Sequence, residues 1–80
     1  MKLPRDLTGL ELARSLVKLG YQTTRQTGSH IRLTTSLCGE HHLTIPAHDP
    51  LKVGTLAAIL ADLQAHHKLG REELLNKLFG

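Results

Sequence analysis

The sequence predicts an α+β domain with a three-stranded antiparallel sheet and helices on one face of it. Apolar residues recur at helical spacing in residues 8–20 and 53–63, and a shorter amphipathic stretch covers residues 71–79. Between the first two stretches lie three short segments rich in threonine and β-branched residues, separated by turns that contain glycine. No repeat, low-complexity segment or linker divides the 80 residues, so we expect a single domain over residues 1–80.

The first helix has signals at both ends. Thr8 is placed as the N-cap, and Glu11 follows three residues later, which is the spacing of a capping box. Leu7 and Leu12 are placed as the hydrophobic staple that accompanies such a start. Gly20 predicts the end of the helix, because glycine readily adopts the left-handed conformation found after helix C-termini.

The three predicted strands have the sequences YQTTRQ, SHIRLTT and HHLTIP. The first two are joined at Thr27-Gly28, which is the signal of a tight hairpin, and LCGE forms the second turn. Pro46 ends the third strand, because proline lacks the N–H group that a strand ladder needs.

The second helix is expected to begin either at Asp49-Pro50 or at Gly54-Thr55. Its predicted buried stripe consists of Val53, Leu56, Leu60 and Leu63, with Ala57 and Ile59 beside it. Gly70 breaks the chain, and REELLNKLF is predicted to form a short amphipathic last helix.

Alternation along the strands assigns side chains to the two faces of the sheet. Ile31 and Leu33 are expected to point toward the helices, and so are Leu43 and Ile45 in the next strand. The other face of such a sheet is open to solvent. The side chains expected on this open face are those of His30, Arg32, His42 and Thr44. Which of them are neighbours depends on the strand register, which the sequence does not show.

Charge and aromatic content narrow the possible functions. The first 40 residues carry six basic and three acidic side chains, whereas the last 40 carry four of each. The net charge of +3 therefore lies in the first half, which suits either a modest polyanion-binding surface or an ordinary solvated one. Only Tyr21 and Phe79 are aromatic, which is too few for a module that stacks single-stranded bases.

The sequence also predicts where the protein works. The single cysteine, Cys38, cannot form an intramolecular disulfide and fits a reducing compartment. No apolar run approaches 18 residues, and the first residues lack the apolar core of a signal peptide. We therefore expect a cytoplasmic protein with no membrane contact.

Neither a metal site nor a nucleophilic serine–histidine pair is expected. Zinc sites usually combine cysteine and histidine at short spacing, whereas Cys38 has no cysteine partner. Glu40 and Asp49 are isolated carboxylates rather than the cluster that metal-dependent nucleases use. Ser29 and His30 are neighbours in a predicted strand and are therefore expected to point to opposite faces.

The remaining histidines are expected mostly on the surface. His66 and His67 are adjacent in a predicted helix, so they cannot point the same way. His41 shares the inward parity of the apolar residues in its strand, which favours a strand-end position over a ligand role. His42 and His48 remain candidates for a functional role.

Several motifs together resemble the HicA (YcfA-like) family of toxin proteins. They are LPR and TGLEL near the start, Gly20-Tyr21, RQTGSH at 25–30, TIPAH at 44–48 and GTLAAIL at 54–60. These motifs occur in order and at the spacing of the family, over about residues 1–63. The predicted helix–strand–strand–strand–helix order is also that of the double-stranded RNA-binding domain.

The resemblance implies a fold like that of the double-stranded RNA-binding domain, and an mRNA interferase activity. HicA toxins cut mRNA and arrest growth until the antitoxin HicB binds them. The catalytic histidine of the family's G-S-H turn falls on His30. Gly28 and Ser29 are then the supporting turn residues, with a positive φ expected at Gly28. We expect RNA contacts from Arg25, Arg32, His42, Thr44 and Lys52, and no metal or other cofactor.

The chemistry of the predicted open face agrees with that activity. An exposed histidine can take the 2′-hydroxyl proton near neutral pH, and basic neighbours can stabilise the added phosphate charge. His42, His48 and Arg32 remain alternatives for the proton donor. Two other functions also fit the sequence: a non-catalytic RNA-binding module, and a small interaction domain whose basic face docks an acidic partner.

Overall fold

The computed structural model describes residues 6–80 and confirms the predicted α+β class and element order. Two further helices follow α1 and the sheet, so the order is α-β-β-β-α with an extra C-terminal helix. The elements are α1 (Gly9–Leu16) with a 3-10 turn (Val17–Leu19), β1 (Gln22–Gln26), β2 (His30–Thr35), β3 (His41–Pro46), α2 (Val53–His67) and α3 (Arg71–Phe79). No helix in residues 6–80 is long and apolar enough to cross a membrane.

Both ends of α1 follow the sequence signals. The Thr8 hydroxyl accepts the Glu11 N–H at 3.1 Å, and the Glu11 carboxylate accepts the Thr8 N–H at 3.0 Å. This reciprocal pair satisfies two N–H groups that the first turn leaves without helical partners. After the 3-10 turn, Gly20 adopts a φ of 81°, and a Cβ there would approach the Thr35 hydroxyl to 2.8 Å. Glycine is therefore needed at this helix end.

The strands pair antiparallel in the order β1-β2-β3. The register places Arg32 opposite Thr44 of β3 and opposite Arg25 of β1. A bulge interrupts the β1–β2 pairing between Thr23 and Arg25. Because paired residues point to the same face, this register decides which side chains of the three strands can act together.

The connection between β1 and β2 differs from the predicted tight hairpin. It contains three residues, 27–29, and Gly28 is not among the glycines with positive φ, which are Gly20 and Gly39. The Thr27 N–H donates to the His30 carbonyl at 2.9 Å, and the Thr27 hydroxyl accepts the His30 N–H at 3.2 Å. Because a side chain supplies one closing hydrogen bond, the backbone does not need a left-handed residue. The prediction of a positive φ at Gly28 is wrong.

The core lies between the sheet and the three helices. Ile31, Leu33, Leu43 and Ile45 are buried on the helix-facing side of the sheet, as predicted. The helices contribute Leu12, Leu16, Leu56, Ile59, Leu60, Leu63, Leu74, Leu75 and Leu78. Val53 was expected in the buried stripe but is 78% exposed. It is the first residue of α2, which begins between the two predicted starts, before the helix reaches the core.

The start of α1 is packed tightly against the end of β3. The Gly9 N–H donates to the His48 carbonyl at 2.9 Å. A Cβ on Gly9 would collide with the carbonyl oxygen of Pro46, so only glycine allows this approach. The close contact fixes the path of the chain that leaves β3, beside the turn that precedes His30.

Candidate active site

The open face of the sheet carries three rows of side chains across the strands. The register aligns Arg25, Arg32 and Thr44 in the middle row. His30 and Pro46 form the row toward the β1–β2 turn, and Gln22, Thr34 and His42 form the row at the other end. The expected face assignments of His30, Arg32, His42 and Thr44 thus agree with the structure, since all four are exposed.

His30 is the first residue of β2 and is held at its backbone and at its ring. Its N–H and carbonyl both bond to Thr27, as the hairpin connection requires. Its Nδ1 lies 3.0 Å from the hydroxyl oxygen of Ser29. With Nδ1–H donating to this hydroxyl, the Nε2 atom keeps a free lone pair directed away from the Ser29 contact.

The contact between Ser29 and His30 corrects the expectation that they point to opposite faces. Strand parity does not apply to Ser29, because β2 begins one residue later, at His30. Ser29 instead bends with the turn, and its carbonyl accepts the Ala47 N–H at 2.9 Å. Ser29 therefore joins the turn to the end of β3 and orients the imidazole of His30 at the same time.

Two arginines lie directly across from each other beside His30. Arg25 and Arg32 are paired between β1 and β2, and both are exposed. Arg32 is two residues from His30 on the same face, about 7 Å along the strand. The middle row of the open face therefore concentrates positive charge next to the one histidine that the turn orients.

His42 lies away from His30, although both are on the open face. Four residues separate the row of His30 from the row of His42 along β2, a distance of about 13 Å. Its Nδ1 is 2.8 Å from the Thr34 hydroxyl, and its Nε2 is 3.9 Å from the Glu40 carboxylate. His42 and His30 therefore cannot act on the same phosphate.

His48 and Lys52 lie outside the sheet. The Ala47 N–H donates to the Ser29 carbonyl, which places the next residue, His48, on the segment beside the His30 turn. The His48 side chain is exposed. Lys52 is exposed at the N-cap position of α2, with no side-chain capping bond. The structure thus brings together Arg25, Arg32, Thr44 and His30, whereas Lys52 belongs to the helix layer.

A second group of titratable side chains lies on the helix-facing side, and sequence reasoning missed it. The fully buried Tyr21 hydroxyl is 2.6 Å from Nδ1 of His41 and 3.0 Å from Nε2 of His67. Nε2 of His41 is 3.2 Å from the Asp62 carboxylate. We call Asp62, His41, Tyr21 and His67 the buried chain; it runs from the exposed Asp62 carboxylate to the buried His67 imidazole. It links the starts of β1 and β3 to the last turns of α2.

Hydrogen-bond directions in the buried chain follow from its ends. The carboxylate can only accept, so the His41 Nε2–H donates to Asp62, and Nδ1 then accepts the Tyr21 O–H. The His67 Nε2–H donates to the Tyr21 oxygen. This leaves Nδ1 of His67 buried, with no hydrogen-bond partner among the described residues. A proton added there would have no acceptor.

The pKa values of the buried chain reflect this environment. Burial, and to a lesser extent the Asp62 carboxylate, raises the pKa of Tyr21 to about 12. Burial is the main cause that lowers the pKa of His67, and the neighbouring His66 and His41 lower it further. Both Tyr21 and His67 are therefore held in their neutral forms near pH 7.

The sequence suggested that His66 and His67 are surface residues, but the structure places both in contact with other segments. His67 is 7% exposed, whereas His66 is half-buried and stacks on His41 with 4.3 Å between ring centroids. The His66 Nε2–H donates to the Leu37 and Gly39 carbonyls, each at 3.1 Å. The sequence signal that could have revealed this group was His41, whose position at the start of β3 shares the inward parity of the apolar residues. Within residues 6–80, no group of three His, Cys, Asp or Glu could hold a metal ion.

The structure is that of a small α+β protein. Helices cover one side of its sheet, and the other side carries basic side chains and histidines. The sequence model for the HicA toxin of bacterial toxin–antitoxin systems matches residues 9–65, which span α1, the whole sheet and most of α2. The chain therefore belongs to the HicA toxin family, confirming the resemblance, and is a toxin that pairs with an antitoxin. No curated protein and no solved structure matches it significantly.

Proposed function

We propose that this toxin is a metal-independent mRNA interferase of the cytoplasm in which His30 removes the 2′-hydroxyl proton of the RNA. The observation that supports the proposal most directly is the geometry at the β1–β2 turn. His30 is exposed, Ser29 engages its Nδ1, and Arg32 lies two residues away on the same face. An oriented imidazole beside fixed positive charge is suited to cleavage of a phosphodiester.

The proposed reaction uses the RNA's own nucleophile. The His30 Nε2 takes the proton of the 2′-hydroxyl, and the 2′-oxygen attacks the adjacent phosphorus. Arg25 and Arg32 stabilise the charge that develops on the non-bridging oxygens. The P–O5′ bond breaks as the P–O2′ bond forms, and the leaving 5′-oxygen takes up a proton. The products are a 2′,3′-cyclic phosphate and a 5′-hydroxyl.

His48 is our candidate for the group that protonates the leaving oxygen. His42 is about 13 Å along the strand from His30, too far to contact the same phosphate. Arg32 stays protonated in proteins and serves better as a charge stabiliser than as an acid. His48 lies next to the His30 turn through the bond between Ala47 and Ser29, and it is exposed.

RNA binding is assigned to the open face around His30. On this face Arg25 and Arg32 supply positive charge for the phosphates, and His42 and Thr44 offer polar contacts. Lys52 adds positive charge from the start of α2, outside the sheet. Because there is little aromatic surface, recognition uses the backbone and 2′-hydroxyl groups rather than base stacking. DNA of the same sequence lacks the 2′-hydroxyl nucleophile and is expected to resist cleavage.

A cleavage assay on a long RNA tests the proposal. Purified wild-type protein is expected to cut RNA equally in EDTA and in magnesium, and to leave 5′-hydroxyl and cyclic or 3′-phosphate ends. A mock purification from cells that carry the empty expression vector serves as the control for contaminating ribonuclease. Activity that disappears in EDTA and returns with magnesium or manganese would contradict the mechanism. RNA binding without cleavage would identify a non-catalytic module instead.

The proposed partner is a HicB-type antitoxin that covers the His30 side of the sheet. Expression of the toxin alone is expected to stop growth, and co-expression of the antitoxin to restore it. Complex formation is expected to weaken with salt, because Arg25 and Arg32 would meet an acidic or polar surface. Harmless overexpression of soluble wild-type protein would count against a toxin that cleaves mRNA.

A further inference from the structure

The sheet has an open edge at β1. This strand lies at one end of the strand order, and all five of its residues are exposed. An edge strand presents backbone N–H and C=O groups that no other strand of residues 6–80 pairs with. Gln22–Gln26 contains neither lysine nor proline. The features of this strand that limit further pairing are its bulge between Thr23 and Arg25 and the charge of Arg25, and that charge favours an acidic partner.

The register of β1 explains why apolar surface is left uncovered beside it. Thr23 and Gln26 pair with Leu33 and Ile31, whose side chains point toward the helices. The bulge between Thr23 and Arg25 places both polar side chains on this helix-facing side. Thr23 and Gln26 therefore occupy positions that are apolar in a central strand, and they leave the neighbouring side of α1 uncovered.

A groove of about 300 Å³ runs between α1 and β1. Leu10 and Val17 line it and are 46% and 64% exposed, so one wall of the groove presents apolar surface. Seven helical residues separate them, about 10 Å along the axis. That length lies between the spacings of inward side chains two and four residues apart on an extended strand, about 7 and 13 Å. Arg14 also lines the groove, between the two apolar residues in sequence.

We propose that this groove binds an extended protein segment with alternating apolar and acidic side chains, which joins the sheet as a fourth strand beside β1. The backbone of the segment would hydrogen bond to β1. Its inward side chains would cover Leu10 and Val17. Its outward side chains would lie beside Arg25 on the open face, which is why the alternation pairs apolar with acidic residues.

Charge favours an acidic segment over a second copy of this chain. Arg14 lines the groove, Arg25 lies on the open face of β1, and the whole chain has a net charge of +3. The nearest carboxylate on α1, Glu11, is already bonded to the N–H of Thr8. A second copy would therefore bring more positive charge to the groove. The proposal goes beyond RNA cleavage and does not depend on it.

A peptide titration of the full chain tests the proposal. The probe is an acetylated and amidated octapeptide that alternates valine and glutamate, added to ¹⁵N-labelled protein. Amide shifts are expected in β1 and α1, with an affinity that falls as salt is raised. A peptide with lysine in place of glutamate is the charge control and is expected not to bind. Shifts confined to the open face, or equal binding of both peptides, would overturn the proposal, and so would no binding at all.

Two exposed valines provide a matched pair of variants. Val17→Ser removes apolar surface from the groove, whereas Val53→Ser makes the same change at the start of α2, where the side chain is 78% exposed. Val17→Ser is expected to raise the peptide Kd about tenfold to twentyfold, from the loss of about two buried carbon groups. Val53→Ser is expected to leave the Kd unchanged. Equal effects of the two variants would contradict the groove, and peptide-independent dimerisation through β1 would identify a second copy as the occupant.

Discussion

His41 and His42 are neighbours in β3, yet their side chains lie on opposite faces of the sheet. The His41 ring is bonded at both nitrogens, to Tyr21 at 2.6 Å and to Asp62 at 3.2 Å. His42 is exposed and contacts the Thr34 hydroxyl at 2.8 Å. Strand parity alone separates them. In this protein the face of the sheet, rather than the residue type, decides what chemistry a histidine can perform.

The same contrast extends to the two groups of histidines as wholes. In the buried chain both ring nitrogens of His41 and one ring nitrogen of His67 are hydrogen bonded, so these histidines connect the strands to α2. On the open face, His30 is engaged only at Nδ1, by Ser29. We therefore expect changes on the helix-facing side to alter stability, and changes near His30 to alter activity.

The sharpest test of the open face is His30→Ala. The side chain is exposed, so its loss is expected to change the free energy of unfolding by under about 0.5 kcal/mol. RNA cleavage is expected to fall by roughly 10²- to 10⁴-fold, the usual contribution of a positioned acid or base. RNA affinity is expected to persist, because Arg25 and Arg32 remain. Initial cleavage rates, melting curves and binding isotherms measure the three effects.

Asn76→Ala is the control for that experiment, since Asn76 is exposed on α3, far from the open face in sequence and layer. Both variants are expected to melt like the wild type, and only His30→Ala is expected to lose cleavage. Wild-type cleavage by His30→Ala at an unchanged melting temperature would show that the catalytic group lies elsewhere, with His48 the next candidate to test.

The helix-facing side is tested by Tyr21→Phe, which removes one hydroxyl group from the buried chain. Nδ1 of His41 and Nε2 of His67 would both lose their partner, and buried polar atoms without partners are costly. We expect the free energy of unfolding to fall by about 1 to 3 kcal/mol, measured by urea denaturation. Cleavage per folded molecule is expected to stay at the wild-type value.

Thr34→Val is the matched change on the open face, because it also removes a hydroxyl group that contacts a histidine. That contact with His42 is exposed, so its loss is expected to cost under about 0.5 kcal/mol. Equal destabilisation by Tyr21→Phe and Thr34→Val would break the distinction between the two faces.

Acid is expected to weaken the buried chain through His67. Burial, followed by the charges of His66 and His41, lowers the pKa of this imidazole below its usual value of 6.5. Below pH 6.5 the unfolded chain therefore binds a proton at His67 more readily than the folded chain does. The stabilisation is complete above that pH and declines as the pH falls, by at most about 1.4 kcal/mol per pH unit.

The measurement is urea denaturation between pH 7.5 and pH 5, compared with His67→Gln. Glutamine keeps an N–H donor near the Nε2 position but does not titrate. The wild type is expected to lose more stability than His67→Gln over this range. If the free energy of unfolding depends on pH equally in the wild type and in His67→Gln, then His67 is not the source of the acid destabilisation.

Much of the fold was predictable because its signals are local. The capping box at Thr8, the helix end at Gly20 and the parity of β2 and β3 each depend on a few neighbouring residues. These signals gave the element order and the members of the open face. The family motif then directed attention to His30, whose role as a base is still a prediction.

The features that sequence reasoning missed depend on contacts between distant segments or, at Gly28, on a side chain within the turn. The burial of His67 follows from α2 packing against Tyr21 and His41, which lie 46 and 26 residues away in the chain. The register that separates His42 from His30 is set by the connection between β2 and β3. The conformation at Gly28 was mispredicted because a side chain, that of Thr27, closes the turn. None of these contacts leaves a periodic pattern in the sequence.

The smallest expected effect refines the open face and concerns Ser29→Ala. Ser29 acts as a positioning residue, because its hydroxyl lies 3.0 Å from Nδ1 of His30 and does not face the RNA in the proposed mechanism. Losing one hydrogen bond of about 0.5 to 1.5 kcal/mol is expected to lower kcat roughly twofold to tenfold. KM is expected to stay the same, since Arg25 and Arg32 still bind the phosphates. Ser29→Thr keeps the hydroxyl and is expected to restore most of kcat. If Ser29→Ala raises KM and leaves kcat unchanged, the hydroxyl binds RNA and does not orient the imidazole.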